Sequence, residues 1–427
     1  MALAEDFHLS KPAVACDPYP YYKALHDAGP ISRLPDFEHP SFIINDYQLV
    51  RAVAANPTLF SSRPSPHQRY NYYPKAEEFL RSHGFGRTPH VIVNDPPRHT
   101  AYRQLLNRLL REKRVHHMRP RIAAVAHALI DDFIDDGTCD FTRAFAWKLS
   151  ILIVAELLGV DRADIDQFKI WAEDWVRPLL LPLSEDQMMD CMKSIAALQH
   201  YFAAQLEDRR RQPRGDLLSD IVSAQIDLGK GPVGLRLHEE LAICEVLMIA
   251  GNDTTANALS LAMLRLIERP GITAQLRGDG DMIRKFIEES LRYEGSVQNN
   301  LRVAVEETTL AGMTIPQGAL ILLCWAAANR DQEQFAHADE FDIERPGNTK
   351  HMAFGHGIHT CAGASIARQE LYESMDALLA RMDNFRLTGA ASTDAVRRVG
   401  GIITHGPERL MIGFDKQAAS NAMAGGK

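Results

Sequence analysis

The stretch Phe354-Gly355-His356-Gly357-Ile358-His359-Thr360-Cys361-Ala362-Gly363 decides how the rest of the chain is interpreted. Its three glycines allow positive φ angles and a close approach of the backbone to a bound group. The residues that follow, Ala364 to Leu371, carry apolar side chains at helical spacing. The sulfur of Cys361 therefore lies at or just before a helix N-terminus, where amide N–H groups and the helix dipole favour a thiolate.

Three other interpretations of this run stay open on its residues alone. A tight structural loop with a buried, inert cysteine has the same pattern. His356, His359 and Cys361 could bind zinc, although no fourth ligand lies nearby and structural zinc sites usually have four. A GxG before a helix could hold a phosphate, but no strand with a glycine-rich dinucleotide fingerprint surrounds it.

The run resembles the cysteine loop of the cytochrome P450 family, FGxGxHxCxG, with every fixed position matched. The resemblance implies that Cys361 is the axial thiolate ligand of a haem b iron, and that Phe354, Gly355 and His359 belong to the haem-binding loop. Ala362 replaces the leucine usual at that position, and we expect only a packing change from it.

The composition limits the class of protein. Among 427 residues, 46% are apolar and 24% are charged, which is typical of a globular protein with an ample core. The net charge of −8 argues against nucleic-acid binding, and no run reaches the ~18 apolar residues of a membrane span. The six cysteines are scattered, as in reduced cytosolic proteins. We expect a cytoplasmic monomer with one domain over 1–427, disordered over about 1–12 and 417–427.

A predicted helix opens at Asp95, which is suited to cap it. His99 and Arg103 on this helix are spaced i, i+4 and share a face. Such pairs are common and usually solvated. The resemblance gives the pair a meaning, since it matches an HxxxR motif that binds haem propionates. It implies the same role for Arg302 and for His359.

One long helix is predicted from Leu237 to Glu268, and its middle reads Ala250-Gly251-Asn252-Asp253-Thr254-Thr255. Glycine, asparagine and threonine are poor helix formers, and a buried acid is costly there. A bent helix with a paired aspartate is one interpretation, and a distorted turn that binds oxygen and water is the other. The segment resembles the family's AGxDTT pattern, which implies that Asp253 and Thr254 are the acid and alcohol that deliver protons.

Glu289 and Arg292, at i and i+3 on another predicted helix, can pair on one face. That spacing alone is very common. It corresponds to the family's ExxR, a structural pair that locks the core around the haem loop, and Arg345 matches the third member of that network. Gly295-Ser296 stands where many relatives have a proline, so we expect a less rigid connection there.

The fold class is mainly α with a small β portion, and the resemblance implies the cytochrome P450 fold. Strands are predicted at Leu301–Val305 and Ala319–Trp325, and a hairpin at Ile31–Ile44. Helical periodicity recurs in several further segments. They are Ile122–Ile134, Phe145–Leu158, Ile165–Val176, Glu185–Arg211 and Leu217–Ile226.

The resemblance favours a substrate pocket covered by residues 56–93 and entered near a predicted loop at 178–184. Plain surface loops are the alternative for both segments. Gln298 and Asn300 suggest a substrate with an oxygen function, and Arg69 or Arg87 could meet a carboxylate. The candidate pocket residues are Ala250, Gly251, Val297, Gln298, Asn300, Ile402 and Ile403.

The resemblance implies a monooxygenase that inserts one oxygen atom of O2 into a small, largely apolar substrate, such as a terpenoid, steroid, fatty acid or aromatic compound. Electrons would come from NAD(P)H through a separate ferredoxin reductase and ferredoxin. A basic cluster at Arg108, Arg111, Lys113 and Arg114 could receive an acidic ferredoxin, or be a solvated helix end. A non-catalytic haem-thiolate sensor or carrier is the alternative function, since it would keep Cys361 without needing the acid and alcohol. A zinc-stabilised helical binding protein is a further one.

Overall fold

The computed structural model describes residues 11, 14, 16–34, 39–65, 72–180, 183–389, 392–399 and 403–417. Helices dominate it, as predicted. They are α1 Tyr19–Ala28, α2 Tyr47–Ala54, α3 Pro74–His83, α4 Arg98–Leu109, α5 Glu112–Asp131, α6 Trp147–Leu158, α7 Ile165–Leu180, α8 Glu185–Arg211, α9 Leu217–Val222, α10 Leu237–Ile267, α11 Thr273–Leu276, α12 Gly280–Tyr293, α13 Trp325–Ala328 and α14 Ala364–Arg381.

The strands are short. They are β1 Ile31–Arg33, β2 Ser41–Ile44, β3 Phe60–Ser61, β4 Thr138–Asp140, β5 Gln225–Asp227, β6 Pro232–Gly234, β7 Asn299–Ala304, β8 Thr308–Leu310, β9 Met313–Ile315, β10 Leu320–Cys324, β11 Met382–Leu387, β12 Arg398–Val399, β13 Gly406–Pro407 and β14 Met411–Lys416.

The largest sheet has five strands in the order β1-β2-β10-β7-β3. β1 and β2 form the antiparallel hairpin predicted for Ile31–Ile44. β10 is parallel to β2 and antiparallel to β7, with Ile321 opposite Arg302. The sheet therefore fixes the position of a guanidinium that the sequence assigns to the functional site.

α10 runs through the middle of the core. It spans 31 residues, roughly 46 Å at the usual rise, and is buried along most of its length, as expected for a helix that is apolar on all sides. α6, α8, α12 and α14 all pack against it. The single long helix predicted from the sequence is confirmed, and it ends just before Pro270.

Three local predictions are wrong. The helix predicted over Leu217–Ile226 ends at Val222, and strand β5 begins at Gln225. Helix α7 continues through Pro178 to Leu180, where the sequence predicted a loop beginning at that proline. A proline in the last helical turn removes only one hydrogen bond, so the helix can include it. Asp95 does not cap helix α4, because its carboxylate accepts from the Ser61 hydroxyl at 2.5 Å and the Ser62 N–H at 2.9 Å.

Two further observations concern the whole described chain. Within the ranges given above, no helix combines the length and apolar character needed to cross a membrane. All six cysteines have free thiols. This agrees with the prediction of reduced cysteines.

Candidate active site

The cysteine loop is held by its own backbone and by a neighbouring helix. Gly355 and Gly357 have φ angles of +71° and +76°, and the Cys361 N–H donates to the Phe354 carbonyl at 2.8 Å. A Cβ at Gly357 would overlap the carbonyl group of Ala54 at the end of α2. Only glycine fits there, so the motif's glycine marks a close approach of two backbones.

The Cys361 side chain is accessible on one side and surrounded by protein on the others. Burial raises the pKa of the Cys361 thiol, while the Gly363 N–H and the charges of Arg103 and Arg368 act in the opposite direction. The amide N–H at the helix start favours the thiolate, as expected from the sequence, but burial outweighs it in the free thiol. A metal cation would supply the missing charge, because a coordinating thiol is deprotonated.

The two histidines of the loop turn toward different partners. Arg51 donates to His356 Nε2 at 3.5 Å, and His359 Nε2 is 2.9 Å from the Ser62 hydroxyl. Among the described residues, no three His, Cys, Asp or Glu side chains form a group that could hold a metal ion. The loop therefore offers a metal one sulfur ligand and no zinc-type cluster.

Four basic side chains from three parts of the chain meet at this loop: His99, Arg103, Arg302 and His359. The rings of His99 and His359 lie 4.2 Å apart, centroid to centroid, and Arg103 donates to the Thr360 carbonyl. Burial, together with the charges of Arg302, His99 and Arg103, lowers the pKa of His359 to about 3. The structure therefore brings together the four residues predicted to bind propionates.

These side chains fit an anionic group. His99 is 2% exposed, and its Nε2 is buried without a hydrogen-bond partner. Arg302 is 6% exposed, and within the described chain neither it nor Arg103 forms a salt bridge. Burial lowers the pKa of Arg302, and only Asp95 raises it. Buried, uncompensated donors of this kind match the carboxylates of haem propionates, so the residues present fit a haem.

The acid and alcohol predicted for proton delivery lie on α10. Asp253 Oδ1 accepts from Trp147 Nε1 at 3.1 Å and from Asn252 Nδ2 at 3.3 Å. Burial raises the pKa of the Asp253 carboxyl, and the Trp147 hydrogen bond lowers it. The Thr254 hydroxyl donates to the Ala250 carbonyl at 2.7 Å.

The predicted distorted turn is absent from this part of the described chain, since α10 is continuous through these residues. A threonine can return its hydroxyl to the carbonyl four residues earlier without leaving the helix. The aspartate is paired, as the alternative interpretation held, but the helix is not interrupted.

The pocket candidates lie in different surroundings. Ala250 is exposed, whereas a Cβ at Gly251 would lie 2.9 Å from a methyl group of Val154, so this glycine also permits close packing of α6 on α10. Val297 forms an isolated bridge with Thr404. The Ile403 carbonyl accepts from the Gln298 N–H at 2.8 Å. Ile402 and Arg69 lie outside the described residues.

The two amides proposed as polar contacts for a substrate are engaged within the protein. Gln298 accepts from the Tyr22 hydroxyl at 3.0 Å and donates to the Gly295 carbonyl at 2.7 Å. Asn300 Oδ1 accepts from Trp325 Nε1 at 2.8 Å. Gln298 is only 3% exposed, so its amide is committed to the structure. Asn300 keeps its amide N–H groups and is partly exposed.

The predicted ion-pair network is present and fully buried. Arg292 donates to both carboxylate oxygens of Glu289, at 2.7 and 2.8 Å, and both side chains are 0% exposed. Arg345 adds a bond to Glu289 at 3.1 Å. Arg292 also donates to the Asn329 carbonyl at 2.9 Å, and the Asn329 side chain accepts from the Met352 N–H at 2.6 Å. The network thus reaches the residues that lead into the cysteine loop.

Sequence reasoning missed several buried carboxylates, among them Glu245, Glu288 and Glu294. Glu245 accepts from Trp175 and Gln199, at 2.9 and 3.0 Å. Glu294 and Glu288 each collect several cationic or hydroxyl donors. The available signal was an acidic residue at an apolar position of a helix, the same signal that singled out Asp253.

The predicted basic cluster is only partly available. Arg114 pairs with Asp220, and Arg108 donates to the Gln225 carbonyl at 2.9 Å. Arg111 and Lys113 are exposed. Two of the four side chains therefore stabilise neighbouring segments.

Comparisons with known proteins agree with this geometry. A family model described as Cytochrome P450 matches residues 164–388, just over half of the chain. The chain is 34% identical over 391 residues to the cytochrome P450 monooxygenase PikC of Streptomyces venezuelae, covering 90% of this chain and 87% of the relative. It is 30% identical to the vitamin D(3) 25-hydroxylase of Pseudonocardia autotrophica, covering 94% and 95%.

A solved structure shares the fold. The cytochrome P450 CYP109Q5 from Chondromyces apiculatus superposes with a TM-score of 0.83 at 28% identity, covering 96% of this chain and 98% of that chain. The chain belongs to the cytochrome P450 family and is a cytochrome P450 monooxygenase.

Proposed function

We propose that this enzyme inserts one oxygen atom of O2 into a C–H bond of a small, largely apolar organic molecule. The observation that carries the proposal is the partly buried Asp253, whose carboxylate accepts from Trp147 Nε1 at 3.1 Å and which Thr254 follows in the chain. A non-catalytic carrier or sensor would not need such a pair. A haem b, held through Cys361 and through His99, Arg103, Arg302 and His359, would supply activation of O2 and oxygen transfer when bound.

The side chains of α10 handle protons. Burial raises the pKa of Asp253, which makes its carboxyl a better proton donor near neutral pH than an exposed aspartate. The Thr254 hydroxyl can rotate, and its oxygen can accept a proton from one side while it gives one on the other. In this proposal Asp253 supplies the protons and Thr254 directs them toward oxygen.

The substrate class that we propose is a terpenoid, steroid, fatty acid or aromatic compound. The relatives' names span vitamin D(3) and cyclomarin C, and one related solved structure holds a hexadec-9Z-enoic acid carried by an acyl carrier protein. Of the polar side chains suggested for the pocket, Asn300 is partly exposed and its amide N–H groups have no acceptor among the described residues, whereas Gln298 is buried and donates to the Gly295 carbonyl. A substrate with one hydrogen-bond acceptor fits this arrangement best.

We propose that electrons pass from NAD(P)H through a ferredoxin reductase and a ferredoxin. Arg111 and Lys113 are exposed at the start of α5, where they could attract an acidic partner. The six unpaired thiols fit a cytoplasmic enzyme. We further propose that the enzyme works as a monomer with one catalytic domain.

One spectrum tests the proposed cofactor and ligand. The purified enzyme, reduced and treated with CO, should show the red-shifted Soret band of a thiolate-ligated haem, and Cys361→Ser should lose it. A globin-like band, or purification without haem, would overturn the assignment. Compounds of the four classes should then be screened for the low-spin to high-spin change that substrate binding causes, with an unrelated polar sugar as the control.

A further inference from the structure

Arg368 on α14 lies against the aromatic ring that opens the cysteine loop. Its guanidinium carbon is 4.4 Å from the centroid of the Phe354 ring, within the range of a cation–π contact. The Phe354 carbonyl in turn accepts the Cys361 N–H at 2.8 Å. A fixed positive charge is thus stacked on the residue that holds the backbone of the cysteine.

Glu288 on α12 holds Arg368 in this place. Its two carboxylate oxygens accept from Arg368 Nε at 2.7 Å and Nη2 at 2.9 Å. The Tyr372 hydroxyl at 2.7 Å and His351 Nε2 at 3.1 Å complete the shell of the carboxylate. A bidentate bond with two further donors fixes both the position and the plane of the guanidinium.

Glu288 and Arg368 form an ion pair that is partly shielded from solvent. Glu288 is 5% and His351 7% exposed, while the Arg368 side chain is 30% exposed at a surface pocket of about 370 Å³. The donors around Glu288 keep the pKa of its carboxyl far below the usual range, so it stays ionised. Arg368 and Cys361 stabilise each other's charged forms.

We propose that Arg368 is a positioning residue that tunes the electron donation of Cys361, and that Glu288 sets how strongly it does so. The proposal rests on Cys361 being the iron ligand, as in the proposed function. A cation close to a thiolate stabilises negative charge on sulfur and weakens its donation to a bound metal. It therefore favours the reduced state of the metal, which carries one positive charge fewer. The carboxylate of Glu288 partly cancels this effect.

Two substitutions should shift the reduction potential in opposite directions. Arg368→Met removes the cation and keeps much of the side-chain length, so the potential should become more negative. Glu288→Gln removes the opposing charge and keeps an acceptor for Arg368, so the potential should become more positive. We expect each substitution to change the equilibrium with a reference dye by roughly threefold, which is about 28 mV at 59 mV per tenfold for one electron.

Arg284→Met is the matched control. Arg284 lines the same pocket but pairs with Asp281 at 2.5 Å, and its loss should leave the potential unchanged. Arg368→Lys keeps the positive charge but loses the planar, bidentate guanidinium. The enzyme should therefore be less stable, while its reduction potential stays close to that of the wild type. This variant, together with Glu288→Gln, decides the question if Arg368→Met fails to fold.

A purely structural role makes a different prediction. Arg368→Met and Glu288→Gln would then both lower stability, with potentials that are unchanged or move the same way, and that result would overturn the proposal. The CO spectrum separates this from a failure of the proposed function. If the wild-type enzyme lacks the thiolate band, the ligand assignment is wrong; if it has the band and the potentials do not diverge, only the role of Arg368 and Glu288 is wrong.

Discussion

The indole N–H of Trp147 donates to Oδ1 of Asp253 across 3.1 Å and so joins α6 to the middle of α10. Lys169 Nζ lies 4.1 Å from the centroid of the Trp147 ring. The hydrogen bond lowers the pKa of a carboxyl that burial raises. Orientation and acidity of the proposed proton donor therefore depend on a residue outside the helix that carries it.

Trp147→Phe should keep the ring packing and remove this hydrogen bond. The pKa of Asp253 should rise further, and the product formed per NADH should fall roughly tenfold, a part of the usual contribution of a positioned acid. Product, NADH and peroxide measured together check this across a pH range. Trp175→Phe is the control, since it removes an equivalent bond to Glu245. An unchanged yield and pH profile would show that Asp253 does not need Trp147.

Thr254→Ala should leave the fold intact, because the hydroxyl makes only one described bond, to the Ala250 carbonyl. The free energy of unfolding should fall by no more than about 1 kcal/mol. NADH consumption should continue while most of the electrons appear in peroxide. Thr254→Ser should restore the yield of product. If Thr254→Ala gives as much product per NADH as the wild type, the hydroxyl has no part in proton delivery.

Glu289→Gln should destabilise the enzyme strongly. It leaves Arg292 and Arg345 with buried charges that no other carboxylate of the described residues pairs with, and breaking such a pair costs about 3–5 kcal/mol. Haem content should fall with stability, because the network also reaches Met352. Urea unfolding and pyridine haemochrome measurements check both effects. Arg284→Ala on the same helix, in an exposed pair with Asp281, should cost less than about 1 kcal/mol.

Gln199→Leu should loosen the segment that leads from α3 to α4. Gln199 accepts from the Phe85 N–H at 2.7 Å and donates to the Gly86 carbonyl at 2.9 Å and to Glu245 at 3.0 Å. Its loss should cost about 1–3 kcal/mol and speed hydrogen exchange around residues 84–94. CO binding after flash photolysis should also become faster. His200→Ala is the comparison variant, since it removes a bond to the His83 carbonyl and a ring contact with Phe85 but none of the three Gln199 bonds, and its effect should be smaller.

His90 should make the same segment sensitive to acid. Burial lowers its pKa to about 4, and Nδ1 is buried without a partner. The unfolded histidine titrates near 6.5, so the stabilisation is complete above pH 6.5 and is lost as the pH falls toward 4. The slope is at most about 1.4 kcal/mol per pH unit. Hydrogen exchange of residues 84–94 at pH 7 and pH 5 should show it, and His90→Phe should abolish the difference.

Sequence periodicity predicted the helical frame because it reports which residues share a face. α10 was predicted within one residue of its observed ends. Motif resemblance then identified Glu289, Arg292 and Arg345, which the structure brings within hydrogen-bond distance. These elements depend on local spacing or on a long pattern, and both can be read from the chain alone.

Side-chain partners from distant segments were harder to predict. Asp95 bonds to Ser61 and Ser62, not to its own helix, and the Gln298 amide is taken by Tyr22 from the first helix. Glu288, next to Glu289 in the chain, has no motif that predicts a role, although its carboxylate contacts Arg368, His351 and Tyr372. Their roles follow from contacts across the fold, and periodicity contains no information about such contacts.

The overlap that any side chain at Gly357 would make with Ala54 has a consequence for biosynthesis. The two residues are about 300 positions apart in the chain, so the cysteine loop reaches its final path only in contact with α2. A ribosome releases α2 long before it releases the loop. The cysteine is therefore in place for a prosthetic group only in a chain whose α2 and cysteine loop have come together.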